Sequence, residues 1–391
     1  MRERNTGMTT DGAMWPTPVM GRRAFVRALG AGALVTLGAA MGLGGTGCTT
    51  FGEAVTGNRQ ITDDVGRVLN IPTPDKLERI YFTSALAQIF CFTLNPAIQA
   101  GTAIRFDKTE LPYLPAGSSD LPYMGSLADD GEINREMLMA EDVQMVFSIS
   151  ATGLTSANIS DADSLQNATN IPVFLLDGSM ENIGHTYEVL GSIFGMEERA
   201  AELGAYCEDV YDRVTAAVEN VPEDERVSIY YAEGPEGLQT EPYNSMHALA
   251  FNVAGARNVA KVEVLDGVGM SNVSLEQVLA WNPDVIISWS YDIRGGADDY
   301  IRTSSNWAPI KAVADGRVYT MPNIPFTWLD RPPAVNRFLG VQWVANMLYP
   351  DLYDVDMVEV AQDFYKLFYQ VDVPASDIRT FLGNSYPPYR G

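Results

Sequence analysis

Seven short segments of this chain are apolar and β-branched almost without interruption: 80–83, 102–106, 143–149, 172–176, 227–232, 284–290 and 317–321. A strand buried on both faces reads this way, because neither face has to alternate with solvent. Segments of helical period separate them. The alternation predicts α/β units, with central parallel sheets flanked by helices. The order of elements also occurs twice. Ile133-Asn134-Arg135-Glu136-Met137-Leu138 leads through Glu141-Asp142-Val143 into a strand, just as Val273-Ser274-Leu275-Glu276-Gln277-Val278-Leu279 leads through Pro283-Asp284-Val285. Ile171-Pro172-Val173-Phe174 has its counterpart in Gly316-Arg317-Val318-Tyr319. Two similar lobes are the expectation.

Between the halves, residues 181–220 hold no proline and carry two apolar stripes at helical spacing. Ile183, Tyr187, Leu190 and Phe194 form the first; Leu203, Tyr206, Val210, Val214 and Val218 form the second. Gly195 predicts a break, and Glu197-Glu198 would then sit at the positive start of the next helix. One helix over 197–219 would extend about 35 Å at 1.5 Å per residue. A strut of that length joins two lobes and leaves a ligand cleft between them, at the carboxyl ends of the strands. The expected divisions are an N-terminal lobe at 61–180, linking helices at 181–222 and a C-terminal lobe at 223–391.

The first 60 residues stand apart. Arg22-Arg23-Ala24-Phe25-Val26-Arg27 precedes a charge-free stretch, and residues 28–43 hold four glycines in 16 positions. A bilayer span takes about 20 predominantly apolar residues, so an export leader is the better reading than a permanent transmembrane helix. The arginines resemble the twin-arginine translocation pattern. Gly45-Thr46-Gly47-Cys48 resembles a lipobox, although Gly45 stands where an aliphatic residue is usual. Residues 1–47 therefore read as a lipoprotein signal peptide, Cys48 as the lipidated residue and 48–60 as a tether; the alternative is a plain secretory leader. Two acyl chains on Cys48 would hold the protein firmly to a membrane.

Charge and cysteine usage narrow the function. The chain has 50 acidic and 26 basic residues and a net charge of −24, a surface that repels nucleic acid. With 46% hydrophobic residues it is no disordered acidic chain. Cys91 and Cys207 sit in apolar helical patterns and read as buried free thiols. His185 and His247 are the only histidines, which argues against a bare metal site built on several imidazoles. No nucleophile–base pair suggests catalysis.

Several segments together resemble the periplasmic binding proteins of the iron-chelate and vitamin B12 ABC importers, the class whose lobes are joined by one long helix. Ile61-Thr62-Asp63-Asp64-Val65-Gly66-Arg67 with Ile71-Pro72 resembles the opening hairpin. Segment 273–284, with Trp281-Asn282-Pro283, resembles the second-lobe helix and its turn. Gly316-Arg317-Val318-Tyr319 resembles the late strand. Most specific is the run from Pro325 through Phe326, Trp328, Asp330-Arg331-Pro332-Pro333 to Arg337, continuing to Leu348-Tyr349-Pro350. The likeness covers roughly residues 60–350. Thr83-Ser84-Ala85 and Arg105-Phe106-Asp107 depart from the family where a ligand would touch the first lobe.

The resemblance implies an extracytoplasmic, membrane-tethered and monomeric receptor. It would bind an iron(III) chelate of the siderophore kind and deliver it to an ABC permease and its ATPase. A corrinoid, haem or an oxyanion such as molybdate is the alternative ligand. No covalent cofactor is implied. A metallocluster or chelatase enzyme on a similar scaffold would need Cys91, Cys207, His185 and His247 to converge. Family members dock on the permease through acidic residues on each lobe, and the matching loops hold Asp161 and Asp163, and Asp298 and Asp299.

Candidate ligand contacts follow from side-chain chemistry. Trp289, Tyr291 and Arg294 lie at and after the end of one strand; aromatic faces supply contact area and a guanidinium pairs with carboxylate or catecholate oxygens. Trp289 lines the cleft or packs in the core. Phe326, Trp328 and Arg331 form a second cluster, stiffened by Pro332-Pro333; Arg331 contacts ligand or forms a structural salt bridge with Asp330 or a helix end. Glu233 occupies a loop whose Gly234 and Gly237 allow close backbone approach. Arg105 is the first lobe's candidate cation for an anionic ligand. His247 is a weaker candidate, and His185 weaker still.

Overall fold

A computed structural model of the protein describes residues 57–128, 131–263, 270–289 and 296–385. The leader, Cys48 and most of the tether lie outside the described residues, as do Tyr291 and Arg294. The described chain opens with a hairpin, β1 (Asn58–Thr62) paired antiparallel with β2 (Val68–Pro72). Its turn is held by the buried Asp63 carboxylate, which accepts from the Val65 and Arg67 amides and from Arg67 Nε at 2.9 Å.

The first lobe is a three-stranded parallel sheet of β3 (Ile80–Phe82), β4 (Met145–Ser150) and β5 (Val173–Asp177), in that order. Helices α1 (Ala85–Leu94), α2 (Arg135–Ala140) and α3 (Ser156–Thr169) connect and flank these strands. Thr155 starts α3 with a reciprocal capping box to Asn158, which satisfies two otherwise unpaired amides. The expected strand at 102–106 does not form. Thr102 makes only an isolated bridge to Tyr123. The buried Gln88 side-chain oxygen instead accepts from the Ala103 amide at 2.9 Å and from Thr102 Oγ1 at 3.0 Å, taking a bond that a ladder would have used.

Next come α4 (Ile183–Phe194) and α5 (Glu197–Val218). Gly195 separates them in the left-handed region at φ 65°, where the pattern predicted a break. Leu203, Cys207, Val210, Val214 and Val218 make the buried stripe of α5. Cys91 and Cys207 are free, buried thiols whose pKa values burial pushes up.

The second lobe repeats the plan: β6 (Ser228–Ala232), the short β7 (Gln239–Thr240), α6 (Leu249–Val253), β8 (Arg257–Asn258), β9 (Ser271–Asn272), α7 (Leu275–Trp281), β10 (Val285–Ser288), α8 (Asp298–Thr303), α9 (Lys311–Ala314) and β11 (Val318–Thr320). Its parallel sheet has the order β11-β10-β6-β8, and β7 pairs antiparallel with β9 beside it. Every residue of the helix α10 (Arg337–Leu348) is buried. Gly340 lets that helix approach the preceding loop; a Cβ there would lie 2.1 Å from the Trp328 carbonyl oxygen. The last helices, α11 (Met357–Phe364) and α12 (Ala375–Leu382), turn back from the second lobe, with Tyr369 against Phe92 of α1 and Phe364 against Tyr206 of α5. Among the described residues, no helix is long and apolar enough to cross a membrane.

Candidate functional site

Segments leaving the carboxyl ends of the two sheets meet. Phe106 of the first lobe lies against Phe326 of the second, ring centroids 6.2 Å apart. Glu181, just beyond β5, acts electrostatically on Arg337. On the second-lobe side of this junction the structure assembles a cluster of charged groups. β6 ends at Ala232 and places Glu233 next, with its backbone locked to Gln239 by bonds of 2.8 and 3.1 Å. β10 ends at Ser288 and places Trp289 next, whose amide donates to the Ala232 carbonyl. The segment after β11 returns with Asp330 and Arg331.

Arg331 is the hub. Its guanidinium donates to Glu241, stands 3.5 Å from Glu233 Oε1 and 3.6 Å from Asp330 Oδ2, and lies 5.5 Å above the Trp289 ring. Asp330 also accepts from the Tyr231 hydroxyl at 3.2 Å and faces His247 Nδ1 at 3.2 Å. Glu241 is fixed further by Ser245 Oγ at 2.6 Å and the Met270 amide at 3.0 Å. The side chains of Glu233, Glu241 and Asp330 are fully buried, whereas those of Arg331 and His247 keep 17% and 15% of their surface. The cluster therefore keeps its carboxylates buried, with Arg331 Nε and His247 Nδ1 turned inward and only part of those two side chains at the surface.

Among the described residues, neither carboxylate oxygen of Glu233 has a hydrogen-bond partner. Burial pushes its pKa up to about 9, reinforced by Asp330 and Glu241 and opposed by Arg331. Burial acts to lower the Arg331 pKa, but Asp330, Glu233 and Glu241 together hold it above its ordinary value. A second buried arginine supports the loop: Arg337 donates from Nε to the Leu329 carbonyl at 3.1 Å and from Nη2 to the Met246 carbonyl at 2.8 Å. Burial lowers its pKa to about 10.

The residues singled out from sequence divide accordingly. Arg331, Glu233 and Trp289 come together, and the salt bridge from Arg331 to Asp330 is present. Trp289 is 2% exposed, so both its readings hold in part: it packs in the core and lies under the guanidinium. Phe326 is at the interlobe contact. Trp328 has no exposed surface and donates its indole N–H to the Tyr365 hydroxyl at 3.2 Å, which makes it core support rather than ligand surface. Arg105 is exposed, its guanidinium carbon 3.8 Å from the Tyr123 ring centroid. His247 joins the cluster, while His185 pairs with Asp64 at 2.9 Å beside a pocket of about 350 Å³. Among the expected docking acids, Asp299 is almost fully exposed, Asp298 is bonded to Thr320 Oγ1 and Arg302, and Asp163 is paired with Arg67. Asp161 lines an open depression of about 710 Å³ that also borders Arg135 and Glu136.

Glu241, Tyr231, Asp330 and Arg337 were not read as site residues from sequence. Asp330 and Arg337 sit inside the most specific motif, which was the available signal. Glu241 lies in Gln239-Thr240-Glu241-Pro242, where nothing local marks it. Among the described residues, no group of three or more His, Cys, Asp or Glu is arranged to hold a metal ion.

A two-lobed α/β protein with a linking helix and a charged site at the strand ends is the architecture of solute-binding proteins. A sequence profile described as periplasmic binding protein matches residues 112–325, more than half of the chain, and the chain belongs to that family. An ABC transporter solute binding protein from Sulfurospirillum deleyianum is 27% identical and superposes with a TM-score of 0.75, over 82% of this chain and 98% of that one. The molybdate-binding protein MolA of Haemophilus influenzae is 32% identical over 185 residues, 47% of this chain and 50% of the relative. The chain thus matches about half the length of that curated relative. A Helicobacter pylori CeuE structure, described as a nickel–histidine complex, is 15% identical with a TM-score of 0.61, over 83% of this chain and 99% of that one; it shares the fold.

Proposed function

We propose that this protein is an extracytoplasmic receptor that captures an anionic, oxygen-rich metal complex between its lobes and hands it to an ABC permease. One observation carries the reading: Arg331 and His247 are the partly exposed members of a cluster whose carboxylates are buried. A guanidinium held from behind in this way offers its remaining edge to anionic oxygens with little freedom left to lose. An iron(III) chelate with carboxylate or catecholate oxygens fits that edge, with Trp289 backing the guanidinium and Phe326 at the interlobe contact beside it. Molybdate is the second reading, favoured by the identity to the molybdate-binding relative. Lipidation at Cys48 would keep the receptor beside its transporter, and Asp161, Asp163, Asp298 and Asp299 are the acids proposed to meet the permease.

Purified full-length protein titrated with ferric citrate, a ferric hydroxamate, a ferric catecholate, cyanocobalamin, haemin and sodium molybdate is expected to bind at least one anionic probe. Binding is read by calorimetry and tryptophan fluorescence. Arg331→Ala should weaken it by at least about thirty-fold, the range expected when one partner of a buried charged pair is removed. Absence of binding to every probe, or equal affinity in the variant, overturns the receptor reading.

A further inference from the structure

Beyond α11 the backbone widens into a single π-helical turn, Tyr365–Tyr369, closed by Gln370 in the left-handed region at φ 58°. Such turns are rare insertions, frequently found at functional sites. This one lies outside the segment that the family profile matches. Together with Phe364, the last residue of α11, it forms two aromatic pairs at i, i+4 spacing, and each pair addresses a different part of the protein.

Phe364 and Phe368 stack at 4.5 Å and face the linking helices: Phe368 lies 5.4 Å from the Tyr206 ring of α5 and 6.4 Å from the Tyr187 ring of α4. Arg199 at the start of α5 donates one bond to the Leu367 carbonyl and another to the Thr93 carbonyl, each 2.8 Å, tying the turn to α1 as well. Tyr365 and Tyr369 face the other way. The Tyr365 hydroxyl donates to the Ile324 carbonyl and accepts from the Trp328 indole; the Tyr369 hydroxyl donates to Asn336 Oδ1, and its ring packs 6.0 Å from Phe326. Phe368, Tyr365 and Tyr369 are all fully buried. One turn therefore grips the linking helices with one face and, with the other, residues 324, 328 and 336 around the loop that carries Phe326 and Arg331.

From this geometry we infer that the Tyr365–Tyr369 turn sets the position of the solute loop relative to the linking helices, making Tyr365 and Tyr369 positioning residues for solute recognition. The inference rests on the receptor reading for what the loop recognises, but the positioning itself does not. Tyr365 holds the loop's start and its tryptophan; Tyr369 holds its end through Asn336. Removing only the hydroxyls leaves the aromatic packing in place and releases the loop's anchors.

The test is hydrogen–deuterium exchange of the full chain without solute, comparing wild type, the Tyr365→Phe/Tyr369→Phe double variant and Tyr206→Phe. Tyr206 of α5 is the control: its hydroxyl accepts from Gln342 Nε2 of α10, so its loss removes a comparable hydroxyl that does not bond residues 324, 328 or 336. The double variant should speed exchange in residues 322–336 by about ten-fold, as expected for losing these hydrogen bonds. Strands 145–150 and 228–232 should stay unchanged, and Tyr206→Phe should leave 322–336 as in wild type. Unchanged exchange in 322–336, or a rise spread equally over both sheets, overturns the positioning role. Wild-type protein that binds none of the solute probes overturns the receptor reading alone.

Discussion

At the carboxyl end of the first sheet, β3 runs into Ser84, whose hydroxyl caps α1, and β4 ends at Ser150, whose hydroxyl donates to the Gly153 carbonyl. At the same end of the second sheet, β6 runs into Glu233 and β10 into Trp289, over which Arg331 is held by carboxylates. The polar groups named at the ends of β3 and β4 are neutral and satisfied within a few residues, and the carboxylate of Asp177, which ends β5, accepts from Ser179 and Asn182 close by. Those clustered at the ends of β6 and β10 are charged and buried, and Arg331 draws in Glu241 from 90 positions away. Burying an unpaired charge is costly, so such a cluster persists only when its members are interlocked. One topology thus supports locally satisfied strand ends on one lobe and an interlocked charged cluster on the other.

The largest difference expected between the lobes is in stability. Arg331→Ala leaves three buried carboxyl groups without their cation and should cost about 3–5 kcal/mol in urea denaturation. Arg105→Ala, on the exposed surface of the first lobe, should stay within about 0.5 kcal/mol. Similar losses for the two would show that the second-lobe cluster is not the interlocked element.

A smaller contrast lies in pH dependence. Glu233 has a folded-state pKa near 9, raised by burial from its ordinary 4.5. The folded state therefore holds a proton that the unfolded chain has released, and stability falls as pH rises from about 4.5 towards 9. Glu233→Gln removes that proton and should flatten thermal stability across the window; an unchanged slope would place Glu233 outside the titration. Where the linking helix α4 meets the first lobe, the hydrogen bond to Asp64 raises the His185 pKa above 6.5, against partial burial. Its contribution is complete below 6.5 and is lost as pH rises through the raised value. His185 is half exposed, so His185→Gln should remove only a shallow step near neutral pH. A step as large as that of Glu233 would break the contrast between the lobes.

Much of the frame was legible in the chain. Six of the seven apolar runs became strands, and Gly195 broke the helix where the two stripes changed face. These signals are local: period, capping and glycine geometry act over a few residues. The failures were equally physical. Residues 102–106 look like a strand, but the Gln88 side chain takes the Ala103 amide. Trp328 looks like a ligand platform because it is a large aromatic in a distinctive motif, yet Tyr365 draws it into the core.

By itself, then, the sequence determined the α/β units, their repetition and the helices that join them, because hydrophobic period and turn chemistry are written in neighbouring residues. It also placed Arg331 in the right motif. Only the tertiary structure decided what that arginine meets. Glu241 lies 90 positions away in the chain, and the Tyr365 hydroxyl reaches back 41 positions to Ile324. Pairings of that kind depend on how strands order in a sheet and how the last helices turn back. No local pattern encodes them, and the charge of the site, the face it shows and its support follow from them alone.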